Sequence, residues 1–187
     1  MTNQSLGSIV GRGDLIRKIR IPRWLIVVSS SISALINLGL NLLVVLVFVF
    51  ISGIDLMVTS LWLPLILLEI YILGLGMSLI LATAYVKYRD INYVWEVILQ
   101  AGFYATPIIY PLSLITSDLF QKVILMSPMA QAIQDARYSL ATHQTTMISD
   151  VFGTNYIRLV PIIFCVLILI IGVLYFKKEA KNFAEDL

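Results

Sequence analysis

Few residues in this chain have side chains suited to chemistry, and most of those lie inside apolar runs, where a polar group needs a partner or must line a path. Glu69 is a carboxylate several residues inside such a run. Two readings of it stand: it lines a path or pairs with an Asn or Tyr of a neighbouring helix, or it is a protonated, satisfied acid near a membrane boundary. Glu96, Gln100 and Tyr104 recur every four residues, with Trp95, Leu99 and Phe103 on the adjacent face, so a polar stripe runs along one side of a helix. Phe103 and Tyr104 lie too deep for an interfacial aromatic belt, the reading that suits Trp24, Tyr85, Tyr88, Tyr93, Trp95 and Tyr175. Ser33, Asn37 and Asn41 form a second four-residue stripe, read as a hydrogen-bonded interface between helices, with pore lining as the alternative. Gly74, Ser78 and Ala82 form a third, small enough for another helix to approach closely. No catalytic constellation accompanies them. His143 is the one histidine, in a polar stretch of threonines outside the apolar runs, and reads as a surface residue. Cys165 is the one cysteine and sits within a run, so neither a disulfide framework nor a metal cluster is expected. A Gly-rich phosphate loop is absent from the sequence, so the chain is not expected to hydrolyse ATP by itself. The chemistry left is hydrogen bonding and stacking at depth.

The elements that must position these residues follow from composition. Of all residues 59% are hydrophobic and 13% charged, more apolar surface than one soluble core of this length hides. Four runs approach the roughly 20 residues that cross a hydrocarbon core: 24–52, 61–86, 93–110 and 157–176. With no water to satisfy bare backbone groups, and no alternation typical of barrel strands, each must be helical, which predicts an all-α, polytopic membrane protein. The first is long and is expected to tilt or to begin in the headgroups; the third is the shortest and ends at a proline. Ten of the 13 Lys and Arg residues fall in 1–23, in the 87–92 turn and in 177–187, leaving Lys122, Arg137 and Arg158 for the other side. Both termini are therefore predicted cytoplasmic. A net charge of +2 is too small to point to nucleic acid.

Two segments outside the runs look amphipathic. Met1 to Arg23 is polar and basic, without the apolar stretch of a cleavable signal peptide. Within it, Asp14 to Arg23 places Leu15, Ile16 and Ile19 on one side among Arg17, Lys18 and Arg20, and Pro22 stops it. Such a segment lies on anionic headgroups unless something else binds it. The connection 112–156 carries Leu114, Ile115, Leu119, Val123, Ile124 and Leu125, then Ser127-Pro128 and a second helical pattern from Met129 to about Leu140. It is too apolar to hang in water and is expected to dip back into the bilayer as two short helices joined at Pro128.

In order and spacing these features resemble the permease subunits of ABC-2 type exporters, particularly those that export O-antigen, teichoic acid and related lipid-linked glycans. Five matches carry the resemblance across nearly the whole chain. Leu15-Ile16-Arg17-Lys18-Ile19-Arg20-Ile21-Pro22-Arg23 resembles the cytoplasmic segment that runs Leu-Ile-Lys-Lys-x-x-x-Pro-Arg before a span. Tyr88-Arg89-Asp90 resembles an aromatic-Arg-Asp turn, and Thr106-Pro107-Ile108-Ile109-Tyr110-Pro111 an outer motif. Ser127-Pro128-Met129-Ala130 with Arg137 resembles an Asn-Pro-Met segment with a following Arg, and Phe176 to Ala184 a short basic C-terminus. Ser127 replaces the usual Asn, and Gln134 stands where an acid is common. Such permeases typically have six spans, so a chain with four reads as N-terminally short.

The resemblance implies a division of labour. Two permease copies pair around a channel, and a separate ATPase subunit, which holds ATP and Mg, docks on the cytoplasmic face of the bacterial inner membrane. Asp14, Leu15, Ile16, Arg17, Lys18, Arg20, Pro22 and Arg23 would couple to it, next to the Tyr88, Arg89, Asp90 turn. Glu96, Gln100, Phe103, Tyr104 and Tyr110 are the channel candidates, since aromatic faces suit the C–H faces of sugars. Pro107, Pro111, Ser127, Pro128 and Arg137 would shape an outer gate. An exporter of small drugs or lipids, a membrane-embedded enzyme and a non-transporting fragment are the competing readings; the enzyme lacks convergent acids or a Ser-His pair.

Overall fold

In the computed structural model the described residues are 1–12, 22, 24–53, 58–140, 145–180 and 183. Among them the α-helices are α1 (Thr2–Leu6), α2 (Trp24–Ile51), α3 (Leu63–Lys87), α4 (Ile91–Ala105), α5 (Asp118–Leu125), α6 (Pro128–Leu140), α7 (Ile148–Phe152) and α8 (Leu159–Glu179). Tight 3-10 turns occupy Val10–Arg12, Val58–Trp62, Leu112–Leu114 and Asn155–Arg158, and no strand occurs among the described residues. The all-α class expected from the apolar runs is the observed one.

Trp24–Ile51, Thr59–Lys87 and Tyr156–Glu179 are long and apolar enough to cross a membrane. The expected run 93–110 differs from them. Its helix, α4, ends at Ala105 after 15 residues, a rise of roughly 22 Å against a hydrocarbon core of about 30 Å. Pro107 explains the stop: it has no N–H for the ladder and pushes Thr106 away from helical geometry. The Gly102 carbonyl accepts both the Thr106 N–H, at 2.9 Å, and the Thr106 hydroxyl, at 2.7 Å.

The chain divides into two compact units. The first comprises Met1–Asn41, Tyr71–Ile98 and Val166–Leu187. Its core is Ile9, Val27, Leu79, Ala82, Val86, Phe176 and Phe183, so α2, α3, α8 and both chain ends meet there. One expectation needs correction at this point. The segment 1–23 was expected to be a polar tail, yet Ser5, Leu6 and Ile9 are fully buried. Ile9 enters the core with Val10 packed against it, and the Ser5 and Ser30 hydroxyls meet at 3.1 Å, so the segment has enough apolar and paired surface to pack. Phe183 is buried in the same core, edge-on to Phe176 at 5.5 Å between ring centres.

Of the small-residue stripe, Ser78 and Ala82 are wholly buried, while a Cβ on Gly74 would meet the Met1 side chain, its sulfur at 2.7 Å. The tightest approach in the unit lies beside it. A Cβ on Gly76 would sit 2.7 Å from the Leu169 amide nitrogen, and one on Gly172 would sit 2.5 Å from the Gly76 carbonyl oxygen. Here α3 and α8 cross backbone to backbone. The Ser33, Asn37, Asn41 stripe, by contrast, finds no second helix among the described residues. All three residues are exposed, and Ser33 and Asn41 donate to carbonyls one turn back, at Ser29 and Asn37.

The second unit comprises Leu42–Ile70 and Leu99–Cys165. Its small core is Leu112, Leu125 and Ile148, flanked by Ile115, Ile124, Val151, Phe152 and Ile157. The two helices expected on either side of Pro128 are present as α5 and α6. Pro128 occupies the first turn of α6, where its missing N–H costs nothing. The chain after α6 contains a further short helix, α7, which the sequence pattern did not foretell. Asp150 starts it by accepting the Met147 N–H at 2.9 Å, and Gly153 ends it in the left-handed conformation at φ 70°. Gly53, at φ 68°, closes the end of α2 in the same way.

Candidate functional site

Of the expected coupling residues, Asp14, Leu15, Ile16, Arg17, Lys18, Arg20 and Arg23 lie outside the described residues. Pro22 is described and exposed, and its carbonyl accepts the Leu25 N–H at 3.0 Å, which leads the chain into α2. The Tyr88, Arg89, Asp90 turn is fully exposed. Its Asp90 carbonyl accepts the first N–H groups of α4, from Tyr93 and Val94. Each cation of the turn lies over a ring, Lys87 at 5.8 Å from the Tyr88 centroid and Arg89 at 5.7 Å from that of Tyr85.

The helix α4 has no buried residue at all. Glu96, Gln100, Phe103 and Tyr104 are exposed, with the Phe103 and Tyr104 rings edge to face at 5.6 Å. Trp95 alone reaches back, donating its indole N–H to the Thr2 hydroxyl at 3.1 Å. Tyr110 folds its hydroxyl under the end of α4, within 3.4 Å of the Tyr104 and Ala105 carbonyls, and so covers the backbone groups that Pro107 frees.

The expected outer residues are partly brought together. Pro107 and Pro128 are buried, while Pro111 and Ser127 are exposed. Arg137 of α6 donates from Nη2 to the Ile108 carbonyl, fixing the turn after α4 to α6. Ser60 does the same for the turn before α3, its hydroxyl donating to the Ser139 carbonyl at 2.8 Å. Gln121 of α5 donates to the Ile115 carbonyl at 2.6 Å.

A cluster the sequence pattern missed lies on the other side of α6. Gln131, Gln134, Asp135 and Ser139 share one face, and all four are buried. Asp135, with a side chain only 4% exposed, pairs with Arg158 at the head of α8. Burial pushes the Asp135 carboxyl above its ordinary range, and the Arg158 guanidinium beside it opposes that rise. Gln131 adds a weaker favourable contact to the carboxylate that falls short of hydrogen-bond geometry. Glu69 of α3 interacts electrostatically with both Asp135 and Arg158, and its Oε1 is buried without a hydrogen-bond partner. Glu69 thus faces an ion pair, and neither an Asn nor a Tyr supplies its Oε1 with a partner among the described residues.

A sequence model of the family described as "ABC-2 type transporter" matches residues 6–141. The chain is 27% identical over 184 residues to the O-antigen export system permease protein RfbA of Klebsiella pneumoniae, covering 98% of this chain and 68% of that protein. A protein of the same name from Myxococcus xanthus is 30% identical over 123 residues, 65% of this chain and 47% of that one.

Proposed function

This chain belongs to the ABC-2 type transporter family, and from that premise we propose that it is the membrane subunit of an exporter that carries a lipid-linked cell-surface polysaccharide across the bacterial cytoplasmic membrane. The observation that carries the reading is the match to O-antigen export permeases along 98% of the chain. As a family member it is a transport subunit that works with an ABC ATPase. That ATPase binds ATP and Mg, docks on the cytoplasmic face and engages the segment Asp14 to Arg23. Two copies of the chain surround the path of the glycan. What supports the pairing is α4, a helix with no buried residue and with Glu96, Gln100 and Tyr104 along one side, which a hydrocarbon surround would leave unsatisfied. Phe103, Tyr104 and Tyr110 supply faces on which sugar rings slide, and the turn held by Arg137 on Ile108 closes the outer end.

The deciding experiment replaces Arg17, Lys18 and Arg20 together with alanine. We expect the chain to insert normally and the ATPase to keep hydrolysing ATP, while surface polysaccharide falls to background. Export at the wild-type level from that triple variant would remove the coupling role.

Sidedness is tested separately. Lys122→Cys is expected to react with a membrane-impermeant maleimide added outside intact cells, and Lys177→Cys only after lysis. Cys165 is buried and gives little background. Labelling of Lys122→Cys only from the cytoplasm would reverse the topology.

A further inference from the structure

We propose that Glu69, whose Oε1 is buried, the buried Asp135 and the half-exposed Arg158 form a proton-binding site in the second unit, where two carboxylates and one guanidinium are brought to neutrality by a single bound proton that holds α6 to the head of α8. The argument begins with charge. Asp135 is committed to Arg158, and Glu69 interacts with both members of that pair from α3. If both acids are ionised, the cluster carries one negative charge that nothing nearby cancels. Two carboxylates that share a site cannot both ionise cheaply, and a solvent-poor setting raises the cost.

The surroundings offer no substitute for the proton. From α6 the neighbours are the Gln131 and Gln134 amides, each 1% exposed and without a hydrogen-bond partner. From α8 the titratable neighbour is the Cys165 thiol, which lies near Glu69. The turn Val58–Trp62 that packs on α6 brings Thr59 and Ser60, neither of which titrates. Arg137, on the same helix as Asp135, is engaged with the Ile108 carbonyl. Lys122 is engaged with Asp118. A neutral carboxyl is, in addition, a donor, and the buried Gln131 and Gln134 amide oxygens are without a partner. The rise of the Asp135 carboxyl on burial agrees in direction. The proton belongs to the pair rather than to either residue.

The step is a simple dissociation: as pH rises the proton passes to water, and the two carboxylates then face one guanidinium. In the unfolded chain both acids titrate near about 4. The folded state therefore binds more protons than the unfolded one above that value, and stability falls as pH rises. The inference does not depend on what is exported, and its failure would leave the transporter reading intact.

The test is the unfolding temperature of the purified full-length chain in a non-ionic detergent, from about pH 5 to about pH 9. The wild type is expected to lose a few degrees per pH unit across the titration. Glu69→Gln removes one acid and leaves a neutral pair, so it should show a flatter profile and melt above the wild type at the alkaline end. Asp135→Asn, which leaves Glu69 to face Arg158, should flatten the profile too and serves if Glu69→Gln fails to fold. Comparison with the wild type cancels titrations common to all. A wild-type slope that survives in both variants, or no slope at all, overturns the proposal. So does recovery of the alkaline melting temperature on adding sodium or potassium chloride, since a metal ion would then be the neutralising charge.

Discussion

Gly172→Leu is expected to abolish the contact between α3 and α8 and to leave the chain unable to fold into a stable detergent-soluble form. A side chain at that position meets the Gly76 carbonyl oxygen at 2.5 Å, and Gly76 is itself pressed against the Leu169 backbone. Backbone atoms cannot swing aside as a rotamer can. Overpacking an ordinary core costs about 1–3 kcal/mol, and a clash with two helical backbones should exceed the upper end of that range. In a membrane the loss is not offset elsewhere, because close approach of small residues is what gives such helices their dispersion and weak C–H···O contacts. Gly39→Ala and Gly102→Ala are the controls. Nothing lies within 4 Å of a Cβ at either position, so each should be neutral or gain up to about 1 kcal/mol from lower backbone entropy in the unfolded chain. Thermal unfolding in detergent reads all three. A Gly172→Leu chain as stable as the wild type would mean that the two helices do not cross as described.

Arg158→Gln is expected to cost roughly 3–5 kcal/mol at neutral pH, because it strands a buried carboxylate. Asp135 would lose its ion-pair partner and Glu69 the one positive charge that offsets it. The loss should shrink as the medium is acidified, since protonation removes the stranded charge. The double variant Asp135→Asn/Arg158→Gln should recover most of the stability. If the double variant is no better than Arg158→Gln, the damage arises from lost packing of the arginine and not from charge.

Much of the helical frame was legible because hydrophobic length is a local property. The runs 24–52, 61–86 and 157–176 correspond to α2, α3 and α8 within a few residues at each end, and Pro128 marked the join between α5 and α6. What the sequence pattern concealed has specific physical causes. The stretch 93–110 looks continuous in hydropathy, but Pro107 acts on backbone geometry and stops the helix near it. In residues 1–12 polar side chains outnumber the large apolar ones, and averaging hides Ile9 and Val10, which are enough to enter a core. The helix α6 is the sharpest case. It buries Gln131, Gln134 and Asp135 while Met129 is exposed, so a pattern that assumes apolar residues face inward chooses the wrong side. The spacing of those polar residues at three and four positions was visible, but only Arg158, 23 positions further on and in another element, gives that face a reason to turn inward. Of the residues proposed to work on the glycan or the ATPase, the sequence supplies the chemistry and the structure supplies exposure for α4.

The bare crossing of Gly76 and Gly172 also bears on movement. The two helices touch there with no side chain between them, which fixes the distance between their axes at that point. Leu75, Leu79, Leu169, Val173 and Phe176 pack into one core beside it, so a change of angle has to carry those side chains along. The crossing therefore makes α3 and α8 one stiff pair, in which a tilt of either helix is a tilt of both.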